Sequence, residues 1–358
     1  MKIVFSGGGT LGSVTPLLAL AEIIKEQNPE VEFFWLGTKD GPEKLLVDKA
    51  GIKFIALSSG KWRRYFSFLN FLDLFKIFAG WAQAVATLND IRPQVIVMAG
   101  GYVGVPVGWA ANILHIPFII HQQDLRLSLS NKLLKSFAIA ITVNWPELAK
   151  LFPTKKVTVV GNPVRKFIFS QTDKGGIYKK YNLTPTLPVI LAVGGGTGAE
   201  FINHLMADSY DGLKDDFQVV NLVGQNYDES FSANGFHTIK FGVEEVPELL
   251  KIADLVVSRA GLGFITELAA LGKPAVIIPI PNSHQEDNAE YLLKHQAAAV
   301  LDQSTLVSAD FTKKIREIYS NKETLSDLSK NINLLYDVNS GQKFADLVLQ
   351  IANKYGSK

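Results

Sequence analysis

The 358-residue chain has no cysteine, so disulfides, thiolate metal sites and cysteine nucleophiles are excluded. An excess of charge is also missing, because 36 Lys and Arg stand against 34 Asp and Glu and leave a net charge of +2. With no long Lys or Arg run, the sequence gives no reason to expect a nucleic-acid partner. Its 47% hydrophobic and 20% charged residues are typical of a folded globular protein.

The chain also lacks an unbroken apolar run long enough to cross a membrane. Residues 93–120 contain no Asp, Glu, Lys or Arg, but Gly100, Gly104, Pro106, Gly108 and Pro117 interrupt them. A buried passage of strand, loop, helix and strand explains this stretch better than a transmembrane helix does. A strand pattern starts at the second residue and leaves no room for a signal peptide. We therefore expect a cytoplasmic protein.

Apolar, strand-like runs alternate with helical patterns along both halves of the chain. In the first half the runs occupy residues 2–6, 32–36, 95–99, 118–121, 140–143 and 157–160. In the second half they occupy residues 189–193, 217–222, 238–241, 255–258, 275–279 and 299–301. This alternation predicts parallel sheets flanked by helices. We expect an α/β protein with two Rossmann-like domains facing a cleft, over residues 1–164 and 165–335, and a helix at residues 336–358 that packs back on the first domain.

Each half begins with a strand that runs into a glycine-rich loop and then a helix. The first loop is GGGTLG at residues 7–12, and the second is GGGTG at residues 194–198. Glycines let backbone N–H groups approach a phosphate, and the helix N-terminus behind them adds about half a positive charge. The pair of loops predicts a nucleotide-sugar enzyme. A tight turn without a ligand is the alternative at each loop.

The first loop also satisfies the dinucleotide fingerprint G-x-G-x-x-G. A dehydrogenase further needs an acidic residue at the end of the second strand to hold a ribose. Here Leu36 is followed by Gly37 and Thr38, and Asp40 comes late. The dehydrogenase interpretation is therefore disfavoured.

The most specific segment of the second half is SRAGLGFITEL at residues 258–268. It leads from a strand into a helix, and Glu267 falls within the first turns of that helix. A carboxylate in this position can accept two hydrogen bonds from a ribose diol. The alternative is that Glu267 only complements the helix dipole.

A polar cluster, PIPNSHQEDNA, follows the next buried strand at residues 279–289. Open α/β sheets bind ligands at this carboxyl edge. The amides of Gln285 and Asn288 can donate to and accept from sugar hydroxyls, although a solvated loop would have a similar composition. No pair of residues has the spacing of a metal site, so we expect no metal held by the protein.

Two segments of the first half also follow strands: GGYVGVP at residues 100–106 and HQQD at residues 121–124. We expect them to line the same cleft from the opposite wall, with Tyr102, Gln122 and Asp124 near the acceptor and the transferred sugar. A histidine that ends a strand, like His121, is more often a structural residue than a catalyst.

Residues 61–81 combine aromatic and basic side chains. A basic cluster at residues 61–64 accompanies the aromatic residues Trp62, Phe68, Phe71, Phe75 and Phe78. This composition suits a segment that lies on an anionic membrane surface. A core helix is the alternative, but the density of Phe exceeds what one buried face needs.

Together these segments resemble the MurG family of bacterial glycosyltransferases, which belongs to glycosyltransferase family 28 and has the two-domain GT-B fold. The matching segments occur in family order over nearly the whole chain, at residues 7–16, 100–106, 121–132, 161–165, 194–199, 259–274 and 284–289. The most specific are GNPVR at residues 161–165 and H-Q-x-x-N-A at residues 284–289.

The resemblance implies inverting transfer of N-acetylglucosamine from UDP-N-acetylglucosamine (UDP-GlcNAc) to the C4 hydroxyl of lipid I, a lipid-linked muramyl-pentapeptide. The product would be lipid II, a precursor of peptidoglycan. UDP-GlcNAc is then a substrate, and no cofactor is implied. The implied location is peripheral, at the cytoplasmic face of the bacterial plasma membrane. The oligomeric state stays undefined.

The resemblance also assigns residues to the acceptor and the transferred sugar. The acceptor diphosphate would lie on Thr10, Leu11 and Gly12, with Tyr102 nearby. The transferred sugar would meet Gln285 and the residue that ends the HQQD segment, Asp124. 

The remaining implied roles concern the donor. Uracil would lie near Val243 and the ribose on Glu267, while Arg165 would lie at the interdomain hinge. The diphosphate would meet the second glycine loop, where Gly196 replaces the usual serine of the family, and the turn before the helix. The full implied donor set is Asp124, Arg165, Gly196, Thr197, Val243, Leu262, Gly263, Phe264, Ile265, Thr266, Glu267, Gln285 and Asn288.

Three catalytic positions depart from the family pattern. Ser13 stands where the family has histidine, Gln122 where it has glutamate, and Asp124 where it has asparagine. Histidine and glutamate are the family's candidate general bases, which are needed because a sugar hydroxyl is a poor nucleophile at neutral pH. Our hypothesis is that Asp124, the only carboxylate left in the HQQD segment, serves as the base. A GT-B enzyme with another acceptor and a catalytically silent nucleotide-sugar binder stay open as alternatives.

Overall fold

The structure, a computed structural model, describes residues 1–60, 68–152, 155–170, 173–194, 199–224, 227, 231, 233–240 and 245–355. The chain divides into two compact units. The first unit contains Met1–Arg165 and Asp337–Lys358, and the second contains Lys166–Tyr336.

The described part of the first unit is built on a seven-stranded parallel sheet. The strands are β1 (Lys2–Ser6), β2 (Glu32–Thr38), β3 (Lys53–Leu57), β4 (Val95–Met98), β5 (Phe118–Gln122), β6 (Ala140–Val143) and β7 (Val157–Val159). Their spatial order is β3-β2-β1-β4-β5-β6-β7. The chain direction across the sheet therefore reverses between β1 and β4, the kind of point at which open α/β sheets bind ligands.

The described part of the second unit repeats this plan with six parallel strands in the order β10-β9-β8-β11-β12-β13. These are β8 (Val189–Val193), β9 (Gln218–Val223), β10 (Phe236–Lys240), β11 (Leu255–Ser258), β12 (Ala275–Ile277) and β13 (Ala299–Val300). The switch point here lies between β8 and β11. Both sheets have the Rossmann strand order, which confirms the predicted α/β class with two Rossmann-like domains.

α-Helices lie between most consecutive strands of the described chain, although none is described between β6 and β7 or between β9 and β10. They are α1 (Thr15–Gln27), α2 (Glu43–Lys49), α3 (Phe68–Ile91), α4 (Gly104–Ile113), α5 (Leu129–Leu134), α6 (Lys174–Lys180), α7 (Glu200–Ser209), α8 (Glu245–Ile252), α9 (Leu262–Leu271), α10 (Gln285–Lys294), α11 (Ser308–Ser320), α12 (Lys322–Asn333) and α13 (Ser340–Tyr355). Of the described helices, none has both the length and the hydropathy needed to cross a membrane.

The central strands are almost wholly apolar because helices cover both faces of each sheet. Every residue of β4 and of β11 is buried, for example. The last helix, α13, packs against α1 and β4 and so belongs to the first unit. Phe344 of α13 is fully buried there.

Candidate functional site

The glycine loop after β1 lies at the switch point of the first sheet. Gly9 has φ +83°, in the left-handed region that favours glycine. A Cβ added to Gly9 would lie 2.7 Å from the ring of Tyr102, which follows β4, so the ring rests on the loop. Thr10, Leu11 and Gly12 come next and lead through a 3₁₀ turn into α1. The structure thus places the four predicted acceptor residues at one edge of the sheet.

Ser13 closes this loop from inside. Its side chain is buried, and its hydroxyl donates to the carbonyl of Thr10 at 3.3 Å. A serine hydroxyl has no basic site comparable to imidazole. Ser13 therefore shapes the turn, and it offers no base to the reaction.

Gln122, the last residue of β5, holds the segment that follows it. The Nε2 amide donates to the carbonyls of Asp124 at 2.6 Å and Arg126 at 3.1 Å. The Oε1 atom accepts from Nδ2 of Asn131 at 2.8 Å and from the N–H of Ser128 at 3.4 Å. Because three of these partners are backbone groups with fixed polarity, the orientation of the amide is determined. All four hydrogen-bonding capacities of a side chain that is only 1% exposed are used.

This network decides what Gln122 can do. A saturated amide is not a proton acceptor for a sugar hydroxyl, so the residue acts as a staple across residues 124–128. Its shortest hydrogen bond holds the main-chain carbonyl of Asp124, whose side chain is half-buried. Gln122 therefore helps to position the carboxylate of Asp124.

His121 lies one residue earlier and is completely buried. Its Nδ1 is 3.0 Å from the hydroxyl of Thr142, and its Nε2 is 3.2 Å from Oδ1 of Asn162. The imidazole also packs on the ring of Phe344, with centroids 5.0 Å apart. Burial lowers the pKa of His121 to about 4, so the ring is neutral at physiological pH. These contacts agree with the structural alternative considered for His121.

In the second unit the switch point is formed by the loops after β8 and β11. Gly196 and Thr197 of the first loop, and Val243, lie outside the described residues. The second loop ends at Gly261, the N-cap of α9, which makes no side-chain capping bond. The backbone N–H groups at the start of α9 therefore face the edge of the sheet where an anion would bind.

The residues of α9 that were assigned to the donor divide into two kinds. Leu262 and Ile265 bury their side chains, so only their backbone can meet a ligand. The Thr266 hydroxyl donates to the carbonyl of Leu262 at 2.7 Å and is used within the helix. Gly263 and Phe264 stand in the first turn, and Glu267 follows in the second turn with its side chain largely buried.

The loop after β12 is tied to this edge. Asn288 is fully buried and donates from Nδ2 to the carbonyl of Ala260 at 2.9 Å, which holds the turn before α9. Gln285 is half-exposed at the start of α10, and its Oε1 accepts from the N–H of Ile280 at 3.2 Å. Arg259 donates from Nη1 to the carbonyls of Ile278 at 3.0 Å and Pro279 at 3.3 Å. These hydrogen bonds connect the loop after β11 to the loop after β12 and the start of α10.

Arg165 ends the first segment of the first unit, and the second unit begins at Lys166. Trp62 lies outside the described residues, and the side chains of Phe68 and Phe71 on α3 are not described. Phe75 and Phe78 on the same helix are 63% and 68% exposed. The later turns of α3 are buried through residues such as Leu88, so the helix is part surface and part core.

Sequence reasoning missed one buried acidic residue at the first edge, Glu43. Its carboxylate accepts from the N–H of Gly9 and from Thr38. The pattern G-T-x-x-G-x-E over residues 37–43 was the available indication, since it places an acidic residue at the start of a short helix beside the glycine loop.

Known families match this chain over nearly its whole length. The glycosyltransferase family 28 N-terminal domain matches residues 3–143, and the C-terminal domain of the same family matches residues 189–350. Curated relatives from Borrelia turicatae and Lachnospira eligens are 35% and 36% identical over 98% and 94% of this chain, and over 96% and 99% of their own lengths. Both are named UDP-N-acetylglucosamine–N-acetylmuramyl-(pentapeptide) pyrophosphoryl-undecaprenol N-acetylglucosamine transferase.

Solved structures share the fold. Acinetobacter baumannii MurG superimposes with a TM-score of 0.71 at 23% identity, covering 98% of this chain and 99% of that protein. A UDP-GlcNAc 2-epimerase from Neisseria meningitidis gives a TM-score of 0.74 at 14% identity, with 98% and 100% covered. These likenesses show the GT-B fold, and the two family models identify the chain as a glycosyltransferase with that fold. With relatives at this identity over its full length, the chain belongs to the MurG family within glycosyltransferase family 28.

Proposed function

We propose that this protein transfers N-acetylglucosamine from UDP-GlcNAc to the C4 hydroxyl of lipid I and so makes lipid II for peptidoglycan synthesis. The observation that carries the proposal is the near full-length similarity to curated relatives named for this reaction. In an inverting displacement the acceptor oxygen attacks C1 of the sugar and the bond from C1 to the diphosphate oxygen breaks. UDP leaves with the electron pair, and a base takes the proton of the hydroxyl.

Asp124 is the base in this proposal. Ser13 and Gln122 stand at the family's catalytic positions, but the hydroxyl of one closes a turn and the amide of the other is saturated. Asp124 carries a carboxylate on the segment that Gln122 holds in place. A positioned carboxylate of this kind contributes about 10²–10⁴-fold by general-base catalysis.

The donor is assigned to the second unit. The diphosphate binds the backbone N–H groups of Leu262, Gly263 and Phe264 at the uncapped start of α9, where the helix dipole favours an anion. Glu267 accepts a hydrogen bond from each of the two ribose hydroxyls, and Gln285 contacts the transferred sugar. Asn288 acts indirectly, by fixing the turn through the carbonyl of Ala260.

The other donor contacts follow the family assignment. Gly196 and Thr197 supply the second diphosphate contact, Val243 contacts uracil, and Arg165 contacts the donor. In the first unit Thr10, Leu11, Gly12 and Tyr102 bind the acceptor diphosphate.

The acceptor's lipid requires a membrane, and we assign the docking surface to α3, α4 and α5. α4 packs against both of the other helices. Large apolar side chains are exposed on these helices and just after α5: Phe75, Phe78, Trp109, Ile113, Leu133 and Phe137. The exposed cations Lys76 and Lys132 lie on the same helices and suit anionic lipid headgroups. The protein would accordingly act peripherally, at the cytoplasmic face of the plasma membrane.

The test is a radiolabel transfer assay with UDP-GlcNAc and a lipid I analogue that has a shortened polyprenyl chain. The wild type should form the disaccharide product, and Asp124→Asn should lower kcat by about 10²-fold or more with little change in either KM. Turnover of Asp124→Asn within a few-fold of wild type would remove Asp124 as the base.

A catalytically silent nucleotide-sugar binder is the second candidate. It is favoured by the side chains of Ser13 and Gln122, neither of which is a base. Calorimetry with UDP-GlcNAc and the transfer assay separate the two candidates, because a silent binder takes up the donor but forms no product. Transfer to a different lipid or small-molecule acceptor would instead keep the reaction class and change the acceptor.

A further inference from the structure

Glu43 is a buried carboxylate with no role in the reaction described so far. It is the first residue of α2, a short helix on which Lys44, Asp48 and Lys49 are exposed. A negative charge suits a helix N-terminus, but a solvated carboxylate would serve that purpose equally well. Complete burial of Glu43 therefore needs another explanation.

The carboxylate joins the end of β2 to the glycine loop after β1. Oε1 accepts from the N–H of Thr38 at 2.7 Å and from the Thr38 hydroxyl, and Oε2 accepts from the N–H of Gly9 at 3.1 Å. An ionised carboxylate is an acceptor only, and each of these three partners is a donor. Hydrogen bonds to a charged acceptor are about twice as strong as neutral ones.

The fit of the loop around this group is close. A Cβ at Gly8 would overlap the carboxylate of Glu43, so the loop runs directly over it. The ring of Tyr102 packs against the same loop at Gly9. Burial is the main reason that the pKa of Tyr102 is raised above its usual value of 10, so the phenol is neutral at physiological pH. The loop is thus held between a carboxylate and a neutral phenol.

We propose that Glu43 is a positioning residue for the acceptor diphosphate: it fixes the Gly9 amide and so presents the backbone of Thr10, Leu11 and Gly12 to the phosphates. Glu43 itself does not touch the substrate. The proposal rests on the proposed function of this edge as the acceptor site. A preorganised loop spares the ordering cost that a loose loop would incur when the substrate binds.

Glu43→Gln tests the proposal with little change in shape. Its amide can satisfy Thr38 through Oε1 but then turns an N–H group toward the N–H of Gly9, so that the tie to the loop is lost. We expect KM for the lipid I analogue to rise about tenfold, the loss of roughly one charge-assisted hydrogen bond. KM for UDP-GlcNAc, whose binding residues lie mainly in the second unit, should change less than about twofold.

Two further variants keep the test decisive. Glu43→Asp retains the charge but is one methylene too short to reach both Thr38 and Gly9, and it should show the same selective rise if the Gln variant fails to fold. Gln94→Leu is the matched control, because Gln94 accepts the N–H of Lys2 at 2.5 Å at the opposite end of β1. It removes a comparable backbone contact and should lower the melting temperature without changing either KM.

The outcomes separate the two proposals. A folded Glu43 variant with unchanged acceptor KM, or with both KM values raised equally, overturns the role of Glu43. Absence of product with the wild type overturns the proposed function instead. Hydrogen exchange adds an independent readout, since amides of residues 8–13 should exchange faster in Glu43→Gln than in wild type, and equal rates would contradict the positioning role.

Discussion

Replacing Gln122 by glutamate, the residue that the family resemblance implies at this position, should damage the protein. The change removes the two N–H donors that hold the carbonyls of Asp124 and Arg126. Each buried carbonyl left without its donor costs about 1–3 kcal/mol. A carboxylate facing two carbonyls adds repulsion, so we expect a loss of roughly 3–6 kcal/mol from a native stability of about 5–15 kcal/mol.

The same variant should depend on pH in a characteristic direction. Burial and the two carbonyls raise the pKa of the introduced carboxyl above its unfolded value of about 4.3. The protonated acid can donate to one carbonyl, so the part of the stability that depends on the proton is present at low pH and is lost as pH rises through the folded-state pKa. The deficit of Gln122→Glu relative to wild type should accordingly be largest above neutral pH and shrink toward pH 5. Urea unfolding of both proteins at each pH measures this difference.

Gln218 provides a matched control in the second unit. Its buried Nε2 donates to the carbonyls of Thr184 at 2.6 Å and Leu187 at 2.7 Å, and its Oε1 accepts from the N–H of Thr184 at 2.9 Å. Gln218→Glu should lose similar stability but keep its transfer kinetics under conditions where it is folded. Gln122→Glu should lose kcat as well, because the main chain of Asp124 is released. If Gln122→Glu has the stability and turnover of the wild type, Gln122 does not hold residues 124–128 in place.

Three other predictions follow from the described contacts. Glu267→Ala should raise KM for UDP-GlcNAc by about 10–100-fold and leave the acceptor KM unchanged in initial-rate kinetics, because only the ribose loses two charge-assisted bonds; a parallel rise in both would contradict the assignment. The pKa of His121 is about 4 in the folded protein and about 6.5 in the unfolded chain, so the free energy of unfolding should fall as the pH drops from 7 to 4. In His121→Leu this fall, measured by urea unfolding, should be smaller by about 3 kcal/mol. The double variant Phe75→Asp, Phe78→Asp should no longer bind vesicles that contain phosphatidylglycerol in a flotation assay, and it should still unfold cooperatively. The control variant Leu45→Asp, which changes an exposed side chain of α2, should still bind the vesicles. Vesicle binding by the double variant equal to wild type would refute the docking surface.

The sheets could be predicted because most of their strands coincide with short apolar runs in the sequence. β1, β6, β8 and β11 have the expected boundaries, since both faces of each are covered and nearly every residue is apolar. β3 was missed. It lies at the edge of its sheet, begins with an exposed lysine and is only partly buried, so its pattern is too weak to distinguish from a loop.

The side-chain roles were harder to predict than the motifs that contain them. Spacing located Gln122 at the end of a strand, but its function depends on how residues 124–128 fold back over it. Asn288 was expected to meet the sugar, and its hydrogen bond to Ala260 depends equally on the path of a distant loop. Glu43 drew no attention because a single acidic residue on an amphipathic helix is common on protein surfaces. Tertiary contacts of this kind have no periodic trace in the sequence.

The placement of α13 has a consequence for synthesis on the ribosome. Its Phe344 packs on His121, and the hydroxyl of Ser340 donates to the carbonyl of Asn162 at 3.3 Å. The first unit therefore cannot be completed until the second unit, which lies between its two segments, has been translated. The second unit is one continuous segment, so all of its residues are synthesised before the last helix of the first unit. The nascent chain should therefore complete its middle before its beginning, with the imidazole pocket exposed to chaperones in the interval.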